Sequence, residues 1–517
     1  MSYIVEQEIK GNIYLYSVDS YWDKAKKQSR QRRTYLGPKN RQTKTKKSLK
    51  CTNIIHKNYG NTFLLNKIAE KTGLQKILKS IFPDNFTEIL ALAFFSICDR
   101  GPFYTFPYWL VENHVSNSKA LYSSDISAVL QKIGLSQRQR NEFFTQWIKL
   151  NNPKDKGGIY FDITSVSSYS TNIDFVEWGY NRDDENLAQI NMGLICCREN
   201  ALPLYYQIYP GSIPDVRTLT NSLKLLNIYQ VNDAVVVLDR GFCCKKNIML
   251  LNENKEKFRF IQPMTFSLKK VKSLIRSCRK SLRKMKNVFK YNEEILYYQK
   301  TSLAIEGTQY DAHLYYNEKA EIEQRHMFLA KLLDIENKIK DRKFESMKEY
   351  LAFRREDIPE QYVRYFKLNR KSMMIEKHLR NISVHLFKIG YFLLLSNEET
   401  LTRDIVLDYY RDRDKVEKMF DIGKNELDEG RLRSHSNYNS DGRMFVKFIA
   451  LILYCHIADI MKKNKLFERF TIKELIAELS KIKFSIIDGN TIISEISKTQ
   501  RKIFKTFHID LEMLLKT

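Results

Sequence analysis

The spacing of apolar and polar positions changes character along the chain. Residues 1–22 alternate weakly, as in YIVEQE and NIYLYSVDSYW, which predicts a small hairpin turning at Gly11-Asn12. From 61 to 150 the spacing is helical. Leu64, Leu65, Ile68 and Ala69 form one apolar stripe; Leu74, Ile77, Leu78, Ile81 and Phe82 form a second, which Pro83 ends. EILALAFFSIC is apolar almost all round, as a buried helix is. Ser136 stands where it can cap SQRQRNEFFTQWIKL.

At Gly157 the pattern turns to short β-rich runs. IYFDITSV, QINMGLICC and ALPLYYQIYPG read as three strands, VRTLTNSLKLL as a helix, AVVVLDRGF as a buried strand, NIMLLNEN as a helix and FRFIQP as a strand. Three strands followed by alternating helices and strands predict an α/β, ribonuclease H-like mixed sheet. Residues 266–398 interrupt it. KYNEEILYYQK and AHLYYNE look like strands there, a charged helical stretch follows, and IGYFLLLS returns the chain to the core. Gly and Pro are scarce, so boundaries rest on these changes of pattern. The expected parts are a hairpin and basic segment (1–56), a helical region (57–154), the first part of the core (155–265), a β-rich and helical insertion (266–398), the second part of the core (399–465) and a C-terminal helical region (466–517).

Charge adds a partner. The 517 residues hold 86 Lys and Arg against 60 Asp and Glu, a net +26, which favours a polyanion, nucleic acid before a membrane surface. Lys24 to Lys50 contains twelve bases and no acid, and Lys269 to Lys290 ten bases and no acid. Both are candidates for phosphate contact, with a solvated basic face as the plain alternative. No uninterrupted apolar run reaches the ~18 residues of a spanning helix; the nearest, Met444 to Met461, is broken by Lys447, His456 and Asp459. The N-terminus lacks a basic segment followed by an apolar one, so no secretory signal is expected. The eight cysteines show no CxxC and no zinc spacing, and read as reduced and mostly buried.

Chemistry is concentrated in LDYYRDRDKVEKMFDIGK, 407–424. On one continuous helix Tyr410, Arg413, Glu417 and Lys424 fall within an arc of about 60°, beside a packing stripe of Ile405, Tyr409, Val416 and Phe420. An ordinary amphipathic helix with i,i+4 ion pairs has the same appearance. Two other acids decide between these readings. Asp162 lies inside an apolar strand and Asp239 ends AVVVLD, where an unpaired charge is costly. Two strand acids and Glu417 can meet at one point. Such oxygen donors suit Mg²⁺ or Mn²⁺, and two ions ~4 Å apart serve in-line phosphoryl transfer.

In these residues the chain resembles the DDE insertion-sequence transposases. Asp162, Asp239 and Glu417 look like that family's acidic triad. Tyr410, Arg413, Glu417 and Lys424 match the Y-x2-R-x3-E-x6-K signature of one large group. QINMGLICCRENALPLYYQIYPGSIPD, with its Pro-Leu and its Gly211…Asp215 turn, is similar to the stretch between the family's first two acids. The resemblance implies that the triad coordinates two Mg²⁺ or Mn²⁺ ions, and that Tyr410, Arg413 and Lys424 bind DNA phosphates beside the cut. It implies an enzyme that binds terminal inverted repeats, cleaves DNA ends and joins the 3′-hydroxyl to target DNA. Its partners would be double-stranded DNA and a second copy of the chain, with no membrane. Its place would be the cytoplasm of a bacterium or archaeon, on the nucleoid. Members of the group can excise through a hairpin, stacking a flipped base on an aromatic, often a Trp of the insertion. Trp22, Trp109, Trp147 and Trp178 all lie elsewhere, so Tyr297, Tyr298, Tyr315 or Tyr316 would take that role here. The alternatives are a ribonuclease H-like nuclease without strand transfer and an inactive DNA-binding regulator derived from a transposase.

Overall fold

The computed structural model describes residues 2–24, 26–39, 55–152, 157–183, 185–229, 231, 233–340, 342–427, 430–487 and 490–515. The chain divides into two compact units, Met1–His56 with Phe484–Ser494, and Lys57–Lys483 with Glu495–Thr517. In the first unit β1 (Ser2–Ile9) and β2 (Asn12–Asp23) form the expected hairpin. A third strand, β3 (Gln28–Pro38), pairs antiparallel with β2. Arg30, Arg32 and Arg33 of the acid-free run therefore stand exposed on a strand rather than in a linker. Arg41, Lys44, Lys46, Lys47 and Lys50 lie outside the described residues, as does Cys51. In this three-stranded sheet only Val18 is fully buried.

After β4 (Ile55–Asn58) come six helices: α1 (Gly60–Lys71), α2 (Leu74–Ile81), α3 (Phe86–Cys98), α4 (Phe106–Glu112), α5 (Ser123–Leu135) and α6 (Gln137–Asn151). Ser136 does precede α6. Its hydroxyl, however, donates to the Lys132 carbonyl at 2.8 Å and caps nothing. Trp147 of α6 is buried and donates from Nε1 to the Pro203 carbonyl at 2.9 Å, tying the helices to the sheet.

The central sheet begins with β5 (Gly158–Ser167), β6 (Gln189–Cys197) and β7 (Pro203–Pro210), an antiparallel run. Helix α7 (Asp215–Ile228) leads to β8 (Ala234–Leu238), parallel to β5; α8 (Lys245–Glu253) leads to β9 (Phe258–Pro263), parallel to β8. β8 is buried at every position, as its unbroken AVVVL requires. Beyond α9 (Lys269–Leu282), the strands β10 (Val288–Tyr291), β11 (Glu294–Ile305) and β12 (Thr308–Tyr316) form no separate layer. They extend the same sheet, which also takes in β15 (Tyr391–Ser396) and whose order is β10-β11-β12-β15-β9-β8-β5-β6-β7. The helical part of the insertion does have a core of its own. α10 (Glu318–Ile339), α11 (Met347–Glu356), α12 (Glu360–Val363), the β13 (Phe366–Asn369) and β14 (Met374–Lys377) hairpin, and α13 (Leu379–Leu386) gather around Phe328, Phe344, Phe353 and Tyr365. β15 (Tyr391–Ser396) then returns to the sheet between β12 and β9.

The stretch that the spacing predicts as one helix is three pieces. They are α14 (Arg403–Arg411), α15 (Asp414–Asp421) and a wider π turn over Ile422–Glu426. The next helix, α16 (Asn437–Lys463), is long and apolar enough to cross a membrane by length and composition, contrary to the run-length count. It is instead a core helix, with 78% of its most apolar stretch buried inside the protein. Phe445 and Phe448 reach Phe144 of α6, and Phe448 reaches Tyr206 of β7. α17 (Ile472–Ser480), the hairpin β16 (Lys483–Ile487) and β17 (Asn490–Ile493), and α18 (Lys498–Thr506) follow.

Helices α5 and α16 touch backbone to backbone. A Cβ on Gly134 would lie 1.9 Å from the Tyr438 carbonyl oxygen, and one on Gly442 1.9 Å from that of Leu130. Only glycine fits such a contact. Gly442→Ala must separate the two helices and is expected to cost about 1–3 kcal/mol or more, read as a fall in the melting temperature. An unchanged melt would mean that the helices shift apart freely.

Candidate active site

The sheet register sets the first two acids side by side. Phe161 of β5 pairs with Leu238 of the parallel strand β8, so the next residue of each strand, Asp162 and Asp239, stands at the same level. Asp239 turns the chain: its carboxylate accepts from the Gly241 amide at 3.3 Å and its carbonyl accepts from Gln262 Nε2 at 2.9 Å. Asp162 keeps partial contact with solvent, yet its carboxyl lies deep. Burial pushes it up to about 7, against the Ile163 amide that donates to it at 2.8 Å. The charge of Asp239 adds to the rise, and Arg413 and Arg182 offset part of it.

Glu417 arrives on α15, which packs against β5 and buries Val416, Met419 and Phe420. Met419 Sδ lies 3.0 Å from Cys196 Sγ. Ile405 does not join that face; it is 39% exposed. Between α14 and α15 the backbone changes register, with Arg413, Lys415 and Val416 donating to the carbonyls three residues back. A tightened turn of this kind re-aims the side chains on either side of it. Arg198, just beyond β6, fastens the junction. Its Nε donates to Asp412 at 2.8 Å, its guanidinium lies 4.3 Å above the Tyr409 ring, and its carbonyl accepts from Lys415 Nζ at 3.3 Å.

The turn aims Arg413 into the acids. Nη1 lies 2.5 Å from Asp239 Oδ1 and Nη2 lies 2.6 Å from Glu417 Oε1. Burial alone would lower this guanidinium's pKa, but Asp239, Glu417 and Asp162 together hold it above its ordinary value. Its Nε is buried with no hydrogen-bond partner among the described residues. Asp162, Asp239, Glu417 and Arg413 thus form one electrostatic cluster. Tyr410 stacks on Phe392 of β15, centroids 6.2 Å apart, and acts on Arg413 electrostatically. Lys424, carried by the π turn, stands apart from the triad. It pairs with Asp183 at 2.6 Å, on the long loop after β5. Four of the six expected residues are therefore brought together, Tyr410 stands beside them, and Lys424 is held by an acid that the sequence did not single out.

The donor set is right in kind for a hard divalent cation: three carboxylates, one of them costly to ionise without a nearby positive charge. It is not a finished cage. Among the described residues no group of three or more His, Cys, Asp or Glu side chains is close enough to hold a metal ion. The cation between Asp239 and Glu417 is Arg413 itself.

Two of the tyrosines named for base stacking are core residues. Tyr315 is 0% and Tyr316 2% exposed, and Tyr298 is tied to His313 at 3.0 Å. The bases of α9 do face solvent while Val271, Ile275, Cys278 and Leu282 are buried. The described cysteines are all free thiols.

Comparison with known proteins gives three results. No curated protein matches the chain. One solved structure similar to it is the cryo-EM structure of the piggyBac transposase synaptic complex with hairpin DNA, at 9% identity and a TM-score of 0.35, covering 81% of this chain and 70% of that one. The family model of the transposase DDE domain matches residues 153–453. That span holds both strand aspartates, the insertion, Glu417 and most of α16, and it is more than half of the 517 residues, so the chain belongs to the transposase DDE domain family.

Proposed function

We propose that this protein is a metal-dependent DNA transposase that binds the inverted repeats at the ends of its own element, cuts there and joins the freed 3′-hydroxyl to target DNA. The observation that carries the reading is the pairing of Asp239 and Glu417 on the single guanidinium of Arg413, with Asp162 near enough to act on it electrostatically, in a chain of the transposase DDE domain family. The fold is read as ribonuclease H-like. The order β7-β6-β5-β8-β9, with the first three strands antiparallel and the last three parallel, supports that.

In this reading Asp162, Asp239 and Glu417 hold Mg²⁺ or Mn²⁺, whose chemistry is to acidify a water or a 3′-hydroxyl and to take up charge on the leaving oxygen. The protein's own groups do the rest. Arg413 neutralises the acids in the free protein and turns to a DNA phosphate as the site fills. Its forked guanidinium suits both partners, carboxylate and phosphate. Lys424 exchanges Asp183 for a phosphate in the same manner. Tyr410, fixed by its stack on Phe392, limits where Arg413 can go. Catalysis on paired ends calls for two copies of the chain.

The test is end joining. Purified protein, Mg²⁺, labelled element ends and a plasmid target yield joined product, and omission of Mg²⁺ or addition of a chelator removes it. Cutting without joining would leave a nuclease. Binding without cutting, over a range of divalent ions, would leave a regulator. Lys424→Ala is expected to weaken end binding and to lower its salt dependence by about one phosphate contact, measured as the slope of affinity against salt. An unchanged slope would remove Lys424 from the interface.

A further inference from the structure

The strap that follows the π turn runs alongside the end of β5. Arg431 bridges Ser167, and the Leu432 amide donates to the Ser167 carbonyl at 2.9 Å. Beside it opens a cavity of about 700 Å³, between this strap, the loop after β5 and the start of α5. Pro102, Phe103, Ile126, Leu130 and Leu432 make much of its lining apolar, and three further kinds of group join them. Arg431, Arg433, His435 and Arg443 supply positive charge or donors, and Ser123, Ser127, Ser170 and Ser434 supply hydroxyls. Tyr104 and Tyr169 supply exposed rings, 64% and 75% accessible. No acid lines it among the described residues. The Arg431 guanidinium lies 5.0 Å from the Tyr169 ring centroid, and one of its terminal nitrogens is buried with no hydrogen-bond partner among the described residues. Exposed tyrosines beside cations and hydroxyls, in a hollow of this size, are the parts of a site for a ring attached to a phosphate.

The cavity lies beside the far end of the strand that carries Asp162. Asp162 and Ser167 are five residues apart on one strand, a distance of ~17 Å, within reach of a short run of unpaired nucleotides. Cations mark the way: Arg413 at the acids, Lys424 held by Asp183, then Arg431 held by Glu185 at 2.7 Å. Asp183 and Glu185 both belong to the loop after β5, so one loop neutralises two of the three cations in the free protein. We propose that this cavity takes unpaired nucleotides of the DNA strand leaving the acids, bases against Tyr169 and Tyr104 and phosphates on Arg431 and His435. The proposal rests on the transposase reading for the identity of the strand, and on the cavity alone for its chemistry. It places the unpaired strand away from the insertion, whose Tyr315 and Tyr316 are sealed in the sheet.

Photo-crosslinking tests it on the full chain. Element-end duplexes carry a single-stranded thymidine tail with one iodouracil at successive positions, and crosslinked peptides are identified by mass spectrometry. Crosslinks are expected at Tyr169 or Tyr104, strongest within the tail and not at the end of the duplex. Tyr169→Ala together with Tyr104→Ala should weaken binding of the tailed DNA on the order of tenfold and leave blunt DNA unaffected. Both rings are exposed, so neither truncation removes core packing, and Tyr169→Phe should restore tail binding. Crosslinks confined to other peptides, or an equal loss on blunt DNA, would overturn the proposal. End joining measured on the same DNA keeps the two readings apart. Joining without these crosslinks removes the cavity site only; crosslinks without joining remove the transposase reading only.

Discussion

Asp239→Asn and Glu417→Gln are each expected to lower end cutting and joining by at least ~10³-fold, while end binding falls by less than about tenfold. Both changes keep the shape of the side chain and remove its charge. In the free protein each also removes one of Arg413's two carboxylate partners. The surviving partner keeps the guanidinium in place, so fold and DNA affinity should be largely preserved. Asp162→Asn separates chemistry from stability more sharply. Its carboxyl is held up to about 7 by burial, so ionisation there works against the fold. The amide should abolish joining and leave the melting temperature unchanged or higher. A variant that joined ends at near the native rate would sink the triad assignment. A large fall in melting temperature for Asp162→Asn would show that the carboxylate is structural.

The two strand acids were legible in the sequence because each breaks a local rule. A charge inside FDITSV or at the end of AVVVLD contradicts its apolar surroundings, and that contradiction marks a functional position. The strands were legible for a related reason: QINMGLICC and FRFIQP have the length and β-branched content of buried strands, and β6 and β9 take those bounds. Arg413's pairing with Asp239 was not legible. Reading 407–424 as one helix places its four signature residues on one face. The chain instead breaks at Asp412–Arg413 and widens at Ile422, with no proline to announce either change. The break is fastened from outside by Arg198, more than two hundred residues earlier, and no local pattern carries that information. The widened turn brings Lys424 to Asp183 in WGYNRDDEN, a polar stretch that reads only as loop. The insertion fails to read for another reason. KYNEEILYYQK and AHLYYNE read as strands, but the sequence does not show which sheet edge they join, because register between distant strands depends on their partners.

The packing face of α15 carries the other large effect. Val416 is 0% exposed and Phe420 7%, both buried on a helix that packs against β5, while Glu417 between them is exposed and pairs with Arg413. One residue of rotation along this helix would exchange those roles, so the buried side chains set the angle at which Glu417 meets Arg413. Val416→Asp places an unpaired carboxylate at a fully buried position and is expected to cost about 3–5 kcal/mol. The cheapest response is for α15 to lift away, because it is short and both of its ends depart from regular α-helix. Joining should then vanish although no proposed metal ligand has changed. Val416→Ala creates a smaller fault, about 1.5–3 kcal/mol, and should leave partial activity. Lys418→Ala, at an exposed position one residue past Glu417, should leave the melting temperature unchanged. Thermal melts and joining rates on the three variants should therefore fall in the order Lys418→Ala, Val416→Ala, Val416→Asp. If Val416→Asp joined ends as well as Lys418→Ala, Glu417 would not owe its position to this face, and the Arg198–Asp412 clasp would be left to hold the helix by itself.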